Sequence, residues 1–226
     1  MIFDLDDTLY PLDGFVESGF DAVSRYLDRT WGVPRRASRA ALLHASRNGE
    51  RGRELQRCLS RFALPLSLVP SLVDMIRAHR PRLRLPRASF DTLVGLRARW
   101  RLAVVTNGLP EMQARKVAAL GLSPLVDTIV YAHAVGTRAG KPDAGPFLEA
   151  AARLGVPAGR SVFVGDDPVA DMLGASRAGM RTIQVATYRL PFIQPTHAAD
   201  ATVRSLTEVP HVAERLMERH GGVHGL

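Results

Sequence analysis

Ser161-Val162-Phe163-Val164-Gly165-Asp166-Asp167 is a short apolar run that stops abruptly at two carboxylates. A run this short, with no alternation of polar and apolar residues, reads as a strand buried on both faces. The next stretch, Pro168 to Ala178, reads as a helix stopped by Gly179. The same succession recurs along the chain. Met1-Ile2-Phe3 reads as a first strand running into Asp4-Leu5-Asp6-Asp7-Thr8. Leu102-Ala103-Val104-Val105 is a second, ending in Thr106-Asn107-Gly108 and followed by a helix from Pro110 to Gly121. Thr128-Ile129-Val130-Tyr131 is a third, and Thr182-Ile183-Gln184-Val185 a fifth. Ser89 is placed to cap a helix containing Leu93, Leu96 and Trp100. Pro146 to Leu154 and Glu208 to His220 supply two more helices. Short apolar strands alternating with helices indicate an α/β fold, a parallel sheet covered on both faces.

One segment breaks the alternation. From 13 to 88 the pattern is helical, with no convincing strand. Phe15, Val16, Phe20, Val23 and Leu27 recur at helical spacing. Pro34 is suited to open a second helix through Ala40, Ala41 and Leu42, which Asn48-Gly49 breaks. A third runs through Leu55, Cys58, Leu59 and Phe62, and Pro65 and Pro70 bracket the entry to a fourth with Leu72, Val73 and Ile76. Arg80-Pro81-Arg82-Leu83-Arg84-Leu85-Pro86 reads as an extended linker. The expected organisation is therefore a core of residues 1–12 and 89–226 interrupted by a helical domain of residues 13–88.

Composition narrows the class. The 226 residues are 46% hydrophobic and 23% charged, which argues against disorder. No stretch approaches the ~20 apolar residues of a membrane span, and the first residues do not resemble a signal peptide. The single cysteine, Cys58, cannot form an internal disulfide and reads as a packed residue of the insert. A reducing, cytoplasmic setting is expected, with the chain a monomer or homodimer.

The net charge of +8 comes from 28 Arg and only two Lys, Lys116 and Lys141. Its distribution is uneven. Residues 13–90 carry 15 Arg and 7 acids, whereas the remainder carries 15 basic and 15 acidic residues. The excess therefore lies in and around the helical segment. Arginines there would attract an anionic substrate, Arg51 and Arg53 beside the Gly49 and Gly52 breaks being the candidates. Each arginine taken singly reads rather as a solvated helix face. No recognition motif or aromatic-basic interleaving points to nucleic acid.

Polar residues gather where strands end: Asp4 and Asp6 after the first, Thr106 and Asn107 after the second, Asp166 and Asp167 after the fourth. Ligands of open α/β sheets bind beyond the carboxyl ends of the strands, so these residues are expected to converge. Carboxylates crowded at one sheet edge repel one another unless a cation lies between them, and a few hard oxygen ligands suit Mg²⁺. An Asp can also act as a nucleophile and form an aspartyl-phosphate. Thr106 and Asn107 offer donors to phosphoryl oxygens, and Lys141 supplies balancing charge.

These stretches resemble haloacid dehalogenase-like (HAD) hydrolases. Asp4-Leu5-Asp6-Asp7-Thr8-Leu9 is similar to their first motif and Val104-Val105-Thr106-Asn107-Gly108 to the second. Gly140-Lys141-Pro142-Asp143 is similar to the third and Val164-Gly165-Asp166-Asp167-Pro168-Val169-Ala170-Asp171 to the fourth. One such motif is weak evidence; four in order are specific. The resemblance implies a Rossmann-like doubly wound parallel sheet with an inserted helical cap of the C1 type. It implies a Mg²⁺-dependent phosphatase acting on a small phosphorylated metabolite through an aspartyl-phosphate. In that reading Asp4 is the nucleophile and a metal ligand, and Asp6 is the general acid/base, with its backbone carbonyl on the metal. Asp166 completes the ligands. Thr106 and Asn107 bind the transferring phosphoryl, and Lys141 orients Asp4 and offsets its charge. Asp171 is expected to support Lys141 or a metal-bound water. Other readings on the same fold are a phosphomutase, a haloacid dehalogenase and a non-catalytic binding module. Relatives that dehalogenate usually lack an acid at the position of Asp6.

Overall fold

A computed structural model describes residues 1–49, 52–136, 139–188 and 199–221, the last three by backbone alone. The described chain forms two compact units, Met1–Pro11 with Arg84–Leu226, and Leu12–Leu83.

The first unit is built on strands β1 (Ile2–Phe3), β2 (Ala103–Thr106), β3 (Thr128–Tyr131), β4 (Val162–Gly165), β5 (Arg181–Val185) and β6 (Ala201–Val203). They form one sheet in the order β3-β2-β1-β4-β5-β6, and every pairing is parallel. The order reverses at β1, as in doubly wound α/β sheets. In register, Ile2 lies between Ala103 and Phe163, and Phe3 between Val104 and Val164. The residues following β1, β2 and β4 therefore emerge side by side. Ile2, Val105, Phe147, Phe163 and Met172 are buried in a common core, and the Phe147 and Phe163 rings meet edge to face at 4.8 Å.

Helices α5 (Arg87–Leu96), α6 (Pro110–Leu120), α7 (Gly145–Leu154), α8 (Gly174–Arg177) and α9 (Val209–Gly221) complete this unit. Pro110 starts α6 and Gly121, at φ 65°, stops it: proline loses no needed donor at a first turn, and glycine enters the left-handed region without strain. Ser89 is not the cap of α5. It lies within the helix, buried, and its hydroxyl donates to the Leu9 carbonyl at 2.6 Å; α5 begins after Pro86 and ends at Leu96, short of Trp100. The stretch after β4 is not one α-helix either. Pro168–Leu173 is a π-helical turn, and only Gly174–Arg177 is α-helical. The third difference is β6, three residues that the sequence pattern does not suggest.

The second unit contains α1 (Asp13–Trp31), α2 (Arg35–Arg47), α3 (Glu54–Arg61) and α4 (Val69–Ala78), with no strand among its described residues. Phe20, Val23, Leu27, Leu42, Leu55, Cys58, Leu59 and Leu72 form its core. Helix α1 approaches α4 so closely at Gly19 that a Cβ there would lie 2.9 Å from Ile76 Cγ2. Burial pushes the Cys58 thiol up to about 11, as expected of a packed, unreactive cysteine. Among the described residues, no helix is long and apolar enough to cross a membrane.

Candidate active site

Asp4 is the first residue beyond β1. Its backbone N–H donates to the Val164 carbonyl at 2.9 Å, so the ladder that builds the sheet also fixes its Cα. The residue is 5% exposed. One carboxylate oxygen, Oδ1, accepts from Lys141 Nζ. The other, Oδ2, has no hydrogen-bond partner among the described residues. Burial pushes the Asp4 carboxyl well above its usual range; Lys141 opposes this shift, and Asp171, Asp166 and Asp6 add to it. A buried carboxylate with one oxygen held and one open is suited to nucleophilic attack.

Lys141 is the counterweight. Its Nζ donates to Asp4 and, at 2.6 Å, to Asp171 Oδ1, and lies 5.6 Å from the Phe163 ring centre. Burial alone would lower the ammonium's pKa, but Asp171 and Asp4 outweigh it and hold the group cationic, above its ordinary value. The backbone of Lys141 is gripped from both sides by one side chain. Asn107 Nδ2 donates to its carbonyl at 2.9 Å, and its N–H donates to Asn107 Oδ1 at 2.8 Å. The Asn107 amide is therefore committed to placing Lys141. Gly140, at φ 74°, lies against this clamp, where a Cβ would come within 2.8 Å of Asn107 Oδ1.

Asp171 reaches Lys141 because of the π turn. Its Oδ2 also accepts the Asp167 N–H at 3.1 Å, and Asp167 in turn caps the turn through the N–H groups of Val169 and Ala170 at 2.9 and 2.8 Å. Gly165 makes room for it, since a Cβ there would lie 2.6 Å from Asp171 Cγ. Asp166 is 8% exposed; its Oδ1 accepts from the Thr8 hydroxyl at 3.5 Å, and its carbonyl accepts from Gln184 at 3.1 Å. Asp4, Asp166 and Asp171 each offer an oxygen, all within 4.8 Å of one another. An all-oxygen donor set of carboxylates, partly neutralised by a single lysine, fits a small hard cation such as Mg²⁺.

The structure thus brings together Asp4, Asp166, Lys141, Asn107 and Asp171. Thr106, 1% exposed at the end of β2, accepts on its Oγ1 from Gln113 Nε2. Asp6 lies apart from the three-carboxylate cluster by its side chain and joins a second cluster with Tyr10, Gln113 and Lys116. Sequence reading misses these three partners. One signal exists for Lys116: it is one of only two lysines in an arginine-rich chain, and both are buried on aspartates. Of the two arginines singled out in the helical segment, Arg53 is exposed and Arg51 lies outside the described residues.

This fold, with carboxylates beyond β1 and β4 and a buried lysine bonded to Asp4 and Asp171, matches that of a class of hydrolase. A family model described as haloacid dehalogenase-like hydrolase matches residues 1–179, and the chain belongs to that family. The glyceraldehyde 3-phosphate phosphatase of Methanothermobacter thermautotrophicus is 32% identical over 193 residues, covering 82% of this chain and 84% of that one. A 2-haloacid dehalogenase from Pseudomonas syringae superposes with a TM-score of 0.65 at 27% identity, covering 95% of this chain and 97% of the other. A HAD phosphatase from Thermococcus onnurineus gives 0.61 at 25% identity, with 93% and 95% covered.

Proposed function

We propose that this hydrolase is a phosphomonoesterase acting on a small phosphorylated metabolite through an aspartyl-phosphate. The observation that carries the reading is Asp4: buried, with Oδ1 on Lys141 and Oδ2 unpartnered among the described residues, beside two further carboxylates. Asp4 Oδ2 attacks phosphorus, the ester P–O bond breaks, and the leaving oxygen takes a proton from Asp6. Water then gives a proton to Asp6 and attacks phosphorus; the acyl-phosphate P–O bond breaks, freeing phosphate and restoring Asp4. Thr106 and the backbone beyond it hold the transferring group, and Lys141 keeps Asp4 oriented while balancing its charge. Phosphoryl transfer depends chiefly on positioning and charge neutralisation, which suits a site with buried lysines set among aspartates. Asp4 and Asp166, with the Asp6 carbonyl, would hold Mg²⁺, which when bound supplies positive charge to the phosphoryl oxygens.

The test is hydrolysis of 4-nitrophenyl phosphate with Mg²⁺ and with EDTA. Activity that needs Mg²⁺ and disappears in a folded Asp4→Asn variant is expected; near wild-type turnover by that variant removes Asp4 as nucleophile. The likeness to a 2-haloacid dehalogenase gives a second reading, halide release from a 2-haloacid without metal. Asp6 and the oxygen-rich cluster argue against it, and a halide assay on the same preparation decides. The helical unit is read as the cap that selects substrate. Arg53→Ala is expected to change KM for the physiological ester more than for the aryl phosphate.

A further inference from the structure

Asp6 does not stand free beyond β1. Its Oδ1 accepts from the Tyr10 hydroxyl at 2.6 Å and from Lys116 Nζ at 2.9 Å. Its Oδ2 accepts from Lys116 Nζ at 2.8 Å and from Gln113 Nε2 at 3.0 Å. Gln113 and Lys116 are three residues apart on α6 and so share a face. Both are buried, at 0% and 2% exposure, whereas the Asp6 side chain keeps 22% of its surface open. Lysine is almost never this buried unless paired, and this one is paired with Asp6. The Gln113 amide that holds Asp6 also donates to Thr106 Oγ1, tying the carboxylate to the hydroxyl that faces the phosphoryl group in the proposed reaction.

We propose that Lys116 and Gln113 are positioning residues for Asp6, fixing its carboxylate in the orientation from which it exchanges a proton with the leaving-group oxygen and with water. This rests on the assignment of Asp6 as the proton-transfer group. An aspartate on a short turn can rotate about both side-chain torsions. Proton transfer needs one oxygen within about 2.6–3.2 Å of its target. Donors on both oxygens, from a helix packed on the sheet, remove that freedom; Tyr10 alone restrains only Oδ1.

A mere strut would serve every substrate equally, and a positioning role does not. The value of kcat/KM reports the steps up to departure of the leaving group. An alkyl phosphate must leave with a proton, whereas 4-nitrophenolate is stable without one. Lys116→Met is expected to lower kcat/KM for an alkyl phosphate by at least about tenfold, within the range that general acid catalysis supplies. On 4-nitrophenyl phosphate the same variant is expected to lose less than about threefold. Gln113→Leu also removes the donor to Thr106, so it is expected to add a loss common to both esters to the same selectivity, and the ratio of the two losses decides the matter should Lys116→Met fail to fold. On an Asp6→Asn background, Lys116→Met is expected to change alkyl-ester turnover by less than about twofold, because residues acting through one group are not additive. Equal losses on the two esters, or losses that multiply in the double variant, overturn the proposal. Equal losses with Asp4→Asn inactive remove only the positioning role, whereas an active Asp4→Asn variant removes the phosphatase reading beneath it.

Discussion

The two kinds of basic residue in this chain are used in opposite ways. Lys116 and Lys141 are both buried and both bound to aspartates of the sheet unit, Lys116 to Asp6 and Lys141 to Asp4 and Asp171. Several arginines of the helical unit form ion pairs that stay open to water. Arg35 on Asp21 and Arg39 on Glu17 have side chains 49% and 39% exposed. The two lysine charges of the sheet unit are desolvated and fixed, so they act on the groups they touch. Charge in the helical unit is solvated, so it contributes a field and little else. A compact ammonium on a flexible stem can be threaded among carboxylates where a broad guanidinium does not fit.

The comparison breaks most visibly at Lys141. Lys141→Met leaves Asp4 and Asp171 buried beside each other without their cation. Removing one partner of a buried pair costs about 3–5 kcal/mol, so a fall in melting temperature is expected along with complete loss of turnover. Lys141→Arg keeps the charge but not the shape. It is expected to fold and to lose at least about a hundredfold in kcat, measured on 4-nitrophenyl phosphate. Wild-type turnover by Lys141→Arg would show that charge alone matters at this position.

A smaller effect, of opposite sign, is expected at Asp4. Burial and the neighbouring acids raise its carboxyl above the usual value despite Lys141, so ionised Asp4 destabilises the metal-free fold. The unfolded chain ionises first as pH rises, and the penalty is complete above the raised folded value. Asp4→Asn carries no such penalty. In EDTA near neutral pH it is expected to be more stable than wild type, Lys141 keeping Asp171 as its partner. The gap should narrow as pH falls toward the ordinary value of 3.8. In Mg²⁺ the order is expected to reverse, since a ligand bound only by the folded state stabilises it. Thermal melts in the two buffers at several pH values test all three statements, and a variant less stable than wild type in EDTA would contradict the charge argument.

Legibility in the sequence divides along the same line. Strand β3 is readable to the residue, because Thr128–Tyr131 is a run of β-branched and aromatic residues with a turn on either side. The acids at the ends of β1 and β4 are readable because strand ends are where such folds gather ligands. Strand β6 is not, since Ala201–Val203 is three residues at a sheet edge and its register comes from pairing with β5. The π turn at Pro168–Leu173 is not, because apolar spacing does not distinguish a wide turn from an α turn; yet that turn delivers Asp171 to Lys141. Lys116 escapes notice because a lysine on a helix ordinarily faces water. Only tertiary packing reveals that α6 presents it to Asp6.

The smallest effect is expected on the helical unit's surface, at Arg39 and Glu17. Their contact is a single one at 3.2 Å, and their side chains are 39% and 41% exposed. Water competes for both groups, and holding two long side chains in one geometry costs rotamer entropy. A double-mutant cycle of Arg39→Ala and Glu17→Ala is therefore expected to give a coupling of about 0.2–1 kcal/mol. The Debye length shortens to about 3 Å at 1 M salt, so the coupling should fade there. The paired cycle in the sheet unit, Lys116→Met with Asp6→Asn, should keep its coupling at the same salt, because the ammonium is only 2% exposed. A surface coupling that survives 1 M salt, or a buried one that does not, would show that burial is not what separates the two regions.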